Sequence, residues 1–296
     1  MELMGIADEG AVTIDGQIEV TKALGWKWIE ARAVQVEGFD KGPIHDIPDE
    51  AFDIVASKLE ESGVGIYAFG STICNWQKTV ETPFDVTLAE VERAIPRMKR
   101  IGTKFVRIMS FKPDDDCAVT PPEVFERVGE VTKRFLDEGL QPVHENCMNY
   151  GGMSIKHALE LQREIPEMKW VFDTGNPVFN PDRSVPKPYP RQSAWDFYQA
   201  LKPYISHVHI KDGIWNNESK KCTFTMPGEG HGDVEQVLAD LKLNGYEGYI
   251  SIEPHIEAVF HENSSEEINL AEKAKRQFES YVEYGKKLES MIAGID

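Results

Sequence analysis

Two periods of apolar residues alternate along this chain. Short β-branched or aromatic runs read as strands: the segment around Leu3 to Ala7, then 26–33 (WKWIEARA), 65–71 (GIYAFGS), 104–110 (KFVRIMS), 141–147 (QPVHENC), 169–176 (KWVFDTGN), 206–212 (SHVHIKD) and 249–255 (YISIEPH). Longer stretches with helical spacing separate them: Asp15 to Leu24, Pro48 to Glu61, Thr87 to Arg100, Pro121 to Glu138, Ser154 to Arg163, Ser193 to Lys202, Val234 to Leu243, and a last one from about Glu266. Pro48 and Pro121 open helices, and Gly25, Gly63, Gly102, Gly139 and Gly245 follow helix ends. Eight βα units punctuated this way predict one α/β domain over residues 1–296, a (β/α)8 barrel.

Three connections are long: 177–191 with its five prolines, 213–232 rich in glycine and polar residues, and about Ile256 to Ser265. All follow late strands, the barrel end where active sites are built, so they are expected to form a substrate rim that sets specificity. No GxGxxG follows the first strand and no GxxxxGK[ST] occurs, which removes the support for dinucleotide and P-loop readings.

Charge narrows the function classes. With Lys+Arg 32 against Asp+Glu 50, the net charge of −18 argues against nucleic acid as a partner. No apolar run is long enough to span a bilayer, and the first ten residues lack a basic leader, so a cytoplasmic protein without membrane partners is expected. Cys74, Cys117, Cys147 and Cys222 show no paired spacing and are expected as free thiols.

The chemistry sits at four successive strand ends. Glu145, Asp173, His209 and Glu253 close strands five to eight, and barrel closure would aim all four at one axis. Three carboxylates buried together need a cation, because otherwise they would repel and take up protons. The oxygen-rich set suits Mn²⁺ or Mg²⁺, with Co²⁺ or Zn²⁺ also acceptable. His207 shares a strand face with His209, and His209 is the chosen ligand because it lies nearer the C-terminal end.

HENC around Glu145, FDTGNP around Asp173, HVHIKD around His209, PGEG at 227–230 and SIEPH around Glu253 together make the chain resemble the xylose isomerase-like TIM barrels, along nearly its whole length. That family includes sugar-phosphate isomerases and epimerases, ketose 3-epimerases and inosose dehydratases. The resemblance implies Glu145, Asp173, His209 and Glu253 as metal ligands. It also implies Glu145 and Glu253 as the catalytic acid/base pair, exchanging a substrate proton from opposite faces. A carbohydrate substrate, no organic cofactor and a homo-oligomer follow as expectations. The physics agrees, since a cation holding a carbonyl oxygen stabilises the enediolate formed when the adjacent C–H is lost.

Two positions depart from the epimerase pattern. Asn176 stands three residues after the Asp ligand where those enzymes commonly have His, and Trp215 stands six residues after the His ligand where they have Arg. HVHIKD instead resembles the inositol-catabolism and sugar-phosphate branches, which implies that Lys211 and Asp212 touch substrate or support the site. His144 should face away from the axis on a regular strand; turned inward by a bulge, it would be a base for elimination, the lyase or dehydratase alternative. Asn146, Asn149 and His255 are candidates for sugar hydroxyls, and Glu30 and Arg107 for a buried ion pair or a ligand contact. Trp76, Trp215, Phe179 and Phe260 could stack on a sugar ring, and Lys220 and Lys221 could hold a phosphate. Related abasic-site endonucleases need more histidines and a basic surface, and a non-catalytic sugar-binding barrel would leave two well-placed glutamates without work.

Overall fold

The computed structural model describes residues 1–256 and 270–295. Eight strands form one parallel sheet: β1 (Glu2–Gly5), β2 (Trp28–Ala31), β3 (Gly65–Phe69), β4 (Phe105–Ile108), β5 (Gln141–Glu145), β6 (Lys169–Asp173), β7 (Ile205–Ile210) and β8 (Tyr249–Ile252). Each pairs in parallel with its sequence neighbour from β2 to β8, and β8 pairs with β1. A parallel bridge between Ile6 and Glu30 joins the first strand to the second and brings the sheet round on itself, giving the TIM barrel.

The intervening helices are α1 (Ile14–Ala23), α2 (Asp49–Ser62), α3 (Phe84–Ile101), α4 (Pro122–Asp137), α5 (Ile155–Glu164), α6 (Ala194–Leu201), α7 (Val234–Leu243) and α8 (Leu270–Ala293). Thr13, Ser154 and Ser193 cap α1, α5 and α6 by accepting a hydrogen bond from a first-turn amide. Gly63 and Gly102 end α2 and α3 in the left-handed conformation, where a side chain would be strained. The last helix docks through Tyr281, Tyr284 and Leu288, all buried. Tyr281 packs where a Cβ on Gly5 would stand, so β1 must carry glycine there.

Strand alternation sorts the two faces. Val106, Ile108, Trp170, Phe172, Val208, Ile210, Ile250 and Ile252 are buried in the layer shared with the helices. The barrel interior is stacked in tiers. At the N-terminal end the rings of Tyr67 and Tyr249 stack at 3.6 Å, with Phe105 and Trp28 edge-on to Tyr67 at 5.2 and 5.6 Å. Above that apolar plug lie Glu30, His207 and Ser251, and above those the strand-end carboxylates. No helix among the described residues is long and apolar enough to cross a membrane.

Two of the three long connections contain structure that the sequence reading left out. A one-turn helix, Asn176–Phe179, begins the proline-rich segment, and Asp212–Asn216 pairs antiparallel with Lys221–Thr225 in a hairpin. Most of the third, with Phe260, lies outside the described residues.

Candidate metal centre

The structure brings Glu145, Asp173, His209 and Glu253 together, with one ligand atom from each all within 4.8 Å of one another and all four residues buried. Glu145 and Asp173 are the last residues of β5 and β6, and Glu253 directly follows β8. His209 Nδ1 faces Glu253 Oε2 at 3.7 Å, Glu145 Oε1 at 3.8 Å and Asp173 Oδ2 at 3.9 Å. Those separations are too long for hydrogen bonds, and Nδ1 has no hydrogen-bond partner among the described residues. A buried ring nitrogen facing three carboxylate oxygens across such a gap fits a divalent cation with one nitrogen and three oxygen donors.

Glu30 fixes the other side of that imidazole. Its carboxylate lies 3.0 and 3.1 Å from His209 Nε2 and 2.7 Å from His207 Nε2, and it accepts from Ser251 Oγ at 2.7 Å. Burial opposes the Glu30 charge, yet the two histidines hold its carboxyl well below the ordinary value. With Nε2–H committed to Glu30, the Nδ1 lone pair is left for the centre.

Each glutamate is gripped on its second oxygen by an arginine. Arg107 Nη1 lies 3.0 Å from Glu145 Oε2, and Arg32 Nη1 donates to Glu253 Oε1 at 3.1 Å. Lys211 Nζ sits 2.9 Å from Asp173 Oδ2 and 3.0 Å from Glu253 Oε2. Asn176 Nδ2 donates to Glu145 Oε1 at 2.9 Å, while the amides of Gly175 and Asn176 donate to Asp173 Oδ1. Burial works against charge at all three carboxylates. Arg107 and His209 nonetheless hold Glu145 down to about 2, and Lys211 and His255 hold Glu253 well below its ordinary value. Asp173 differs, because burial and its two glutamate neighbours outweigh Lys211 and push it up to about 7.

Several candidates are placed elsewhere than expected. His144 faces outward, because β5 pairs regularly on both sides and no bulge turns it. Its ring packs edge-on to Trp170 at 4.6 Å and burial pushes its pKa down to about 3, so it faces the helix layer and reaches neither substrate nor the centre as a base. His207 lies a tier below His209, held by Glu30 and the Tyr249 carbonyl, and so has no reach to substrate. Asn146 is spent on the backbone of Asp173, from which its side chain accepts at 2.7 Å and to which it donates at 3.0 Å. Asp212 accepts from the amides of Gly213, Gly228, Gly230 and Gly232, so it anchors the segment after β7 rather than binding sugar. Trp215 lies on the hairpin with the Arg191 guanidinium 3.8 Å from its ring centre, which removes that face from stacking. Lys220 and Lys221 are exposed on the same hairpin. Asn149 donates to the Glu145 carbonyl.

Of the two roles open to Glu30 and Arg107, a buried ion pair or a ligand contact, no ion pair joins the two among the described residues: Glu30 is tied to His209 and Arg107 to Glu145. Arg32, which also contacts Asp8 and Glu9, was not singled out in the sequence. Its signal was the two-residue period that puts it on the inward side with Glu30. Glu9 had none, because it meets His255 Nδ1 at 2.7 Å only once the barrel closes. His255 itself stands beside the centre, with Nε2 3.7 Å from Glu253 Oε1.

A cavity of about 260 Å³ is lined by segments that follow β3 to β6, among them Trp76, Lys112, Asn149, Phe179 and Asn180. Of the segments expected as a rim, the one after β6 lines this cavity through Phe179, Asn180, Pro181 and Arg183.

The model of the family described as "Xylose isomerase-like TIM barrel" matches residues 18–283. The chain belongs to that family. The chain is similar to inosose dehydratase of Clostridium botulinum (strain Alaska E43 / Type E3), 28% identical over 135 residues, 40% of this chain and 41% of that protein's length. Among solved structures, the IOLI protein with a bound zinc atom superposes with a TM-score of 0.70 at 15% identity, over 100% of this chain and 99% of that one. A D-tagatose 3-epimerase-like protein gives 0.63 at 17% identity, over 97% and 99%. Identities this low show that the xylose isomerase-like barrel is shared, and substrate does not follow from them.

Proposed function

We propose that this xylose isomerase-like barrel is a divalent-metal-dependent carbohydrate isomerase or epimerase in which Glu145, Asp173, His209 and Glu253 hold the cation. The observation that carries the reading is the unpartnered His209 Nδ1 facing three carboxylate oxygens at 3.7 to 3.9 Å. A bound Mg²⁺ or Mn²⁺, with Zn²⁺ or Co²⁺ as further choices, would polarise a substrate carbonyl and stabilise the charge of an enediolate.

The chain's own residues supply the proton transfers. Arg107 and Arg32 orient Glu145 and Glu253, so each presents its other oxygen toward the centre. One, as the carboxylate its cationic neighbours favour, takes the proton from the carbon beside the carbonyl; the other enters the turnover carrying a proton taken from solvent and delivers it to the second face, and exchange with solvent then resets both. Asn176 steadies Glu145 and Lys211 places fixed positive charge beside Glu253. The second reading, a lyase or dehydratase acting on a keto-sugar or inosose, is favoured by the partial match to inosose dehydratase. It keeps Glu253 as base, because His144 faces Trp170.

Metal content of the purified protein, followed by incubation with ketoses, inososes and 3-keto sugars in D₂O under proton NMR, tests the reading. Metal-dependent deuterium uptake next to a carbonyl, lost in Glu145→Gln and Glu253→Gln, is expected. Loss of a leaving group would shift the assignment to the lyase, and protein that binds no cation would overturn the four-ligand centre.

A further inference from the structure

The cationic groups around the centre fall into two kinds. Arg107 takes Glu145 Oε2 and Arg32 takes Glu253 Oε1, the oxygens that do not face His209, while the amides of Gly175 and Asn176 donate to Asp173 Oδ1. Those contacts hold the three carboxylates from behind. Lys211 is placed differently. Its Nζ lies 2.9 Å from Asp173 Oδ2 and 3.0 Å from Glu253 Oε2, the same two oxygens that stand 3.9 and 3.7 Å from His209 Nδ1. An ammonium thus draws on two of the three oxygen donors that face the imidazole.

The fold fixes that position. Lys211 directly follows β7, and the alternation that turns His207 and His209 inward carries on to it. Thr174 Oγ1 accepts from the Lys211 amide at 3.1 Å and donates to the Lys211 carbonyl at 2.6 Å, so the backbone is held on both sides. The stem then passes over Gly175, where a Cβ would stand 2.8 Å from Lys211 Cγ. The side chain is buried, and close packing leaves it little freedom to turn away. Two positive charges that draw on the same oxygens in a buried site repel strongly, because little water screens them.

We propose that Lys211 is a positioning residue that limits how tightly the centre holds its cation, by drawing on the charge of Asp173 Oδ2 and Glu253 Oε2. In the cation-free chain its ammonium offsets the repulsion among the three carboxylates. With the cation bound it opposes the ion and keeps it exchangeable. A residue that merely held the ligands in place would act in the opposite sense, since its loss would weaken cation binding. The inference rests on the metal-centre reading above, and the sign of the change in affinity separates the two.

Calorimetric titration of Mn²⁺ into the full chain, stripped with chelator, compares the parent with Lys211→Met and Lys211→Arg. Lys211→Met, similar in length and uncharged, should bind Mn²⁺ at least about tenfold tighter. Lys211→Arg, which keeps the charge, should bind no tighter than the parent. Thermal melts should separate the two states: without cation Lys211→Met melts below the parent, and saturating Mn²⁺ raises its Tm by more than it raises the parent's. If Lys211→Met does not fold cation-free, the same Kd is read from the loaded protein by competition with a chelator of known affinity. Lys211→Met binding Mn²⁺ only as tightly as the parent, or more weakly, would overturn the role given to Lys211 and leave the four-ligand centre standing. Failure of both proteins to bind Mn²⁺, Mg²⁺ or Zn²⁺ would overturn the centre itself and this inference with it.

Discussion

His209 divides its two ring nitrogens between unlike neighbours, Nε2 toward Glu30 and Nδ1 toward the three carboxylates. Glu30 therefore acts on the centre without touching it. Replacing it by Gln keeps the shape and removes the charge that fixes the imidazole tautomer, so Glu30→Gln should weaken cation binding about 10- to 100-fold, read by calorimetric titration. A circular dichroism melt of the same variant checks that the barrel persists. The residue types of the centre were legible in the sequence because ligand chemistry restricts them to a few side chains. Their partners were not: Arg32 and Glu253 stand 221 positions apart and meet only across the barrel. The roles of Asn146 and Asp212 also changed on this scale, since an Asn or Asp at a strand end serves backbone amides as readily as a ligand.

Strand alternation decided more than any single residue at the level of elements. His144 and Glu145 are neighbours in sequence on opposite faces of β5, one against Trp170 and the other in the centre. Regular pairing of β5 makes that separation unavoidable, and the period of two had indicated it. The hairpin Asp212–Asn216 with Lys221–Thr225 escaped notice because its residues are mostly polar and lack the buried alternation of a core strand. Helix α3 is tied to the segment carrying Trp76 through Glu90, which accepts from Lys78 Nζ at 2.9 Å and from Thr72 Oγ1 at 3.1 Å. Burial opposes the Glu90 charge, but His45 and Lys78 outweigh it and lower the pKa. A lowered carboxylate contributes stability that is present above its unfolded value and is lost as pH falls through the folded one. Glu90→Gln should thus cost about 1 to 3 kcal/mol in urea unfolding at pH 7. The gap from the parent should close as pH drops below the ordinary carboxylate range.

Across the whole molecule, an excess of 50 acidic over 32 basic residues surrounds a centre that itself gathers three carboxylates. Cation binding relieves both local repulsion and desolvated charge, so it should stabilise the fold by mass action, about 2.7 kcal/mol when the free ion is at 100 times its Kd. The expected result is a rise in Tm of several degrees with added Mg²⁺ or Mn²⁺, reversed by chelator and absent in Asp173→Asn. The sequence by itself determined the alternation of strands and helices, the glycines that stop the helices, and the three carboxylates and one histidine at successive strand ends. Each of these is a local signal, written in the burial period of one segment or the backbone needs of one turn. Only the tertiary structure decided that Arg107 grips Glu145 while Glu30 holds His209, and that a cavity forms between the segments after β3 to β6. Those outcomes depend on distances between strands far apart in sequence, which exist only when Ile6 meets Glu30 and the sheet comes round on itself.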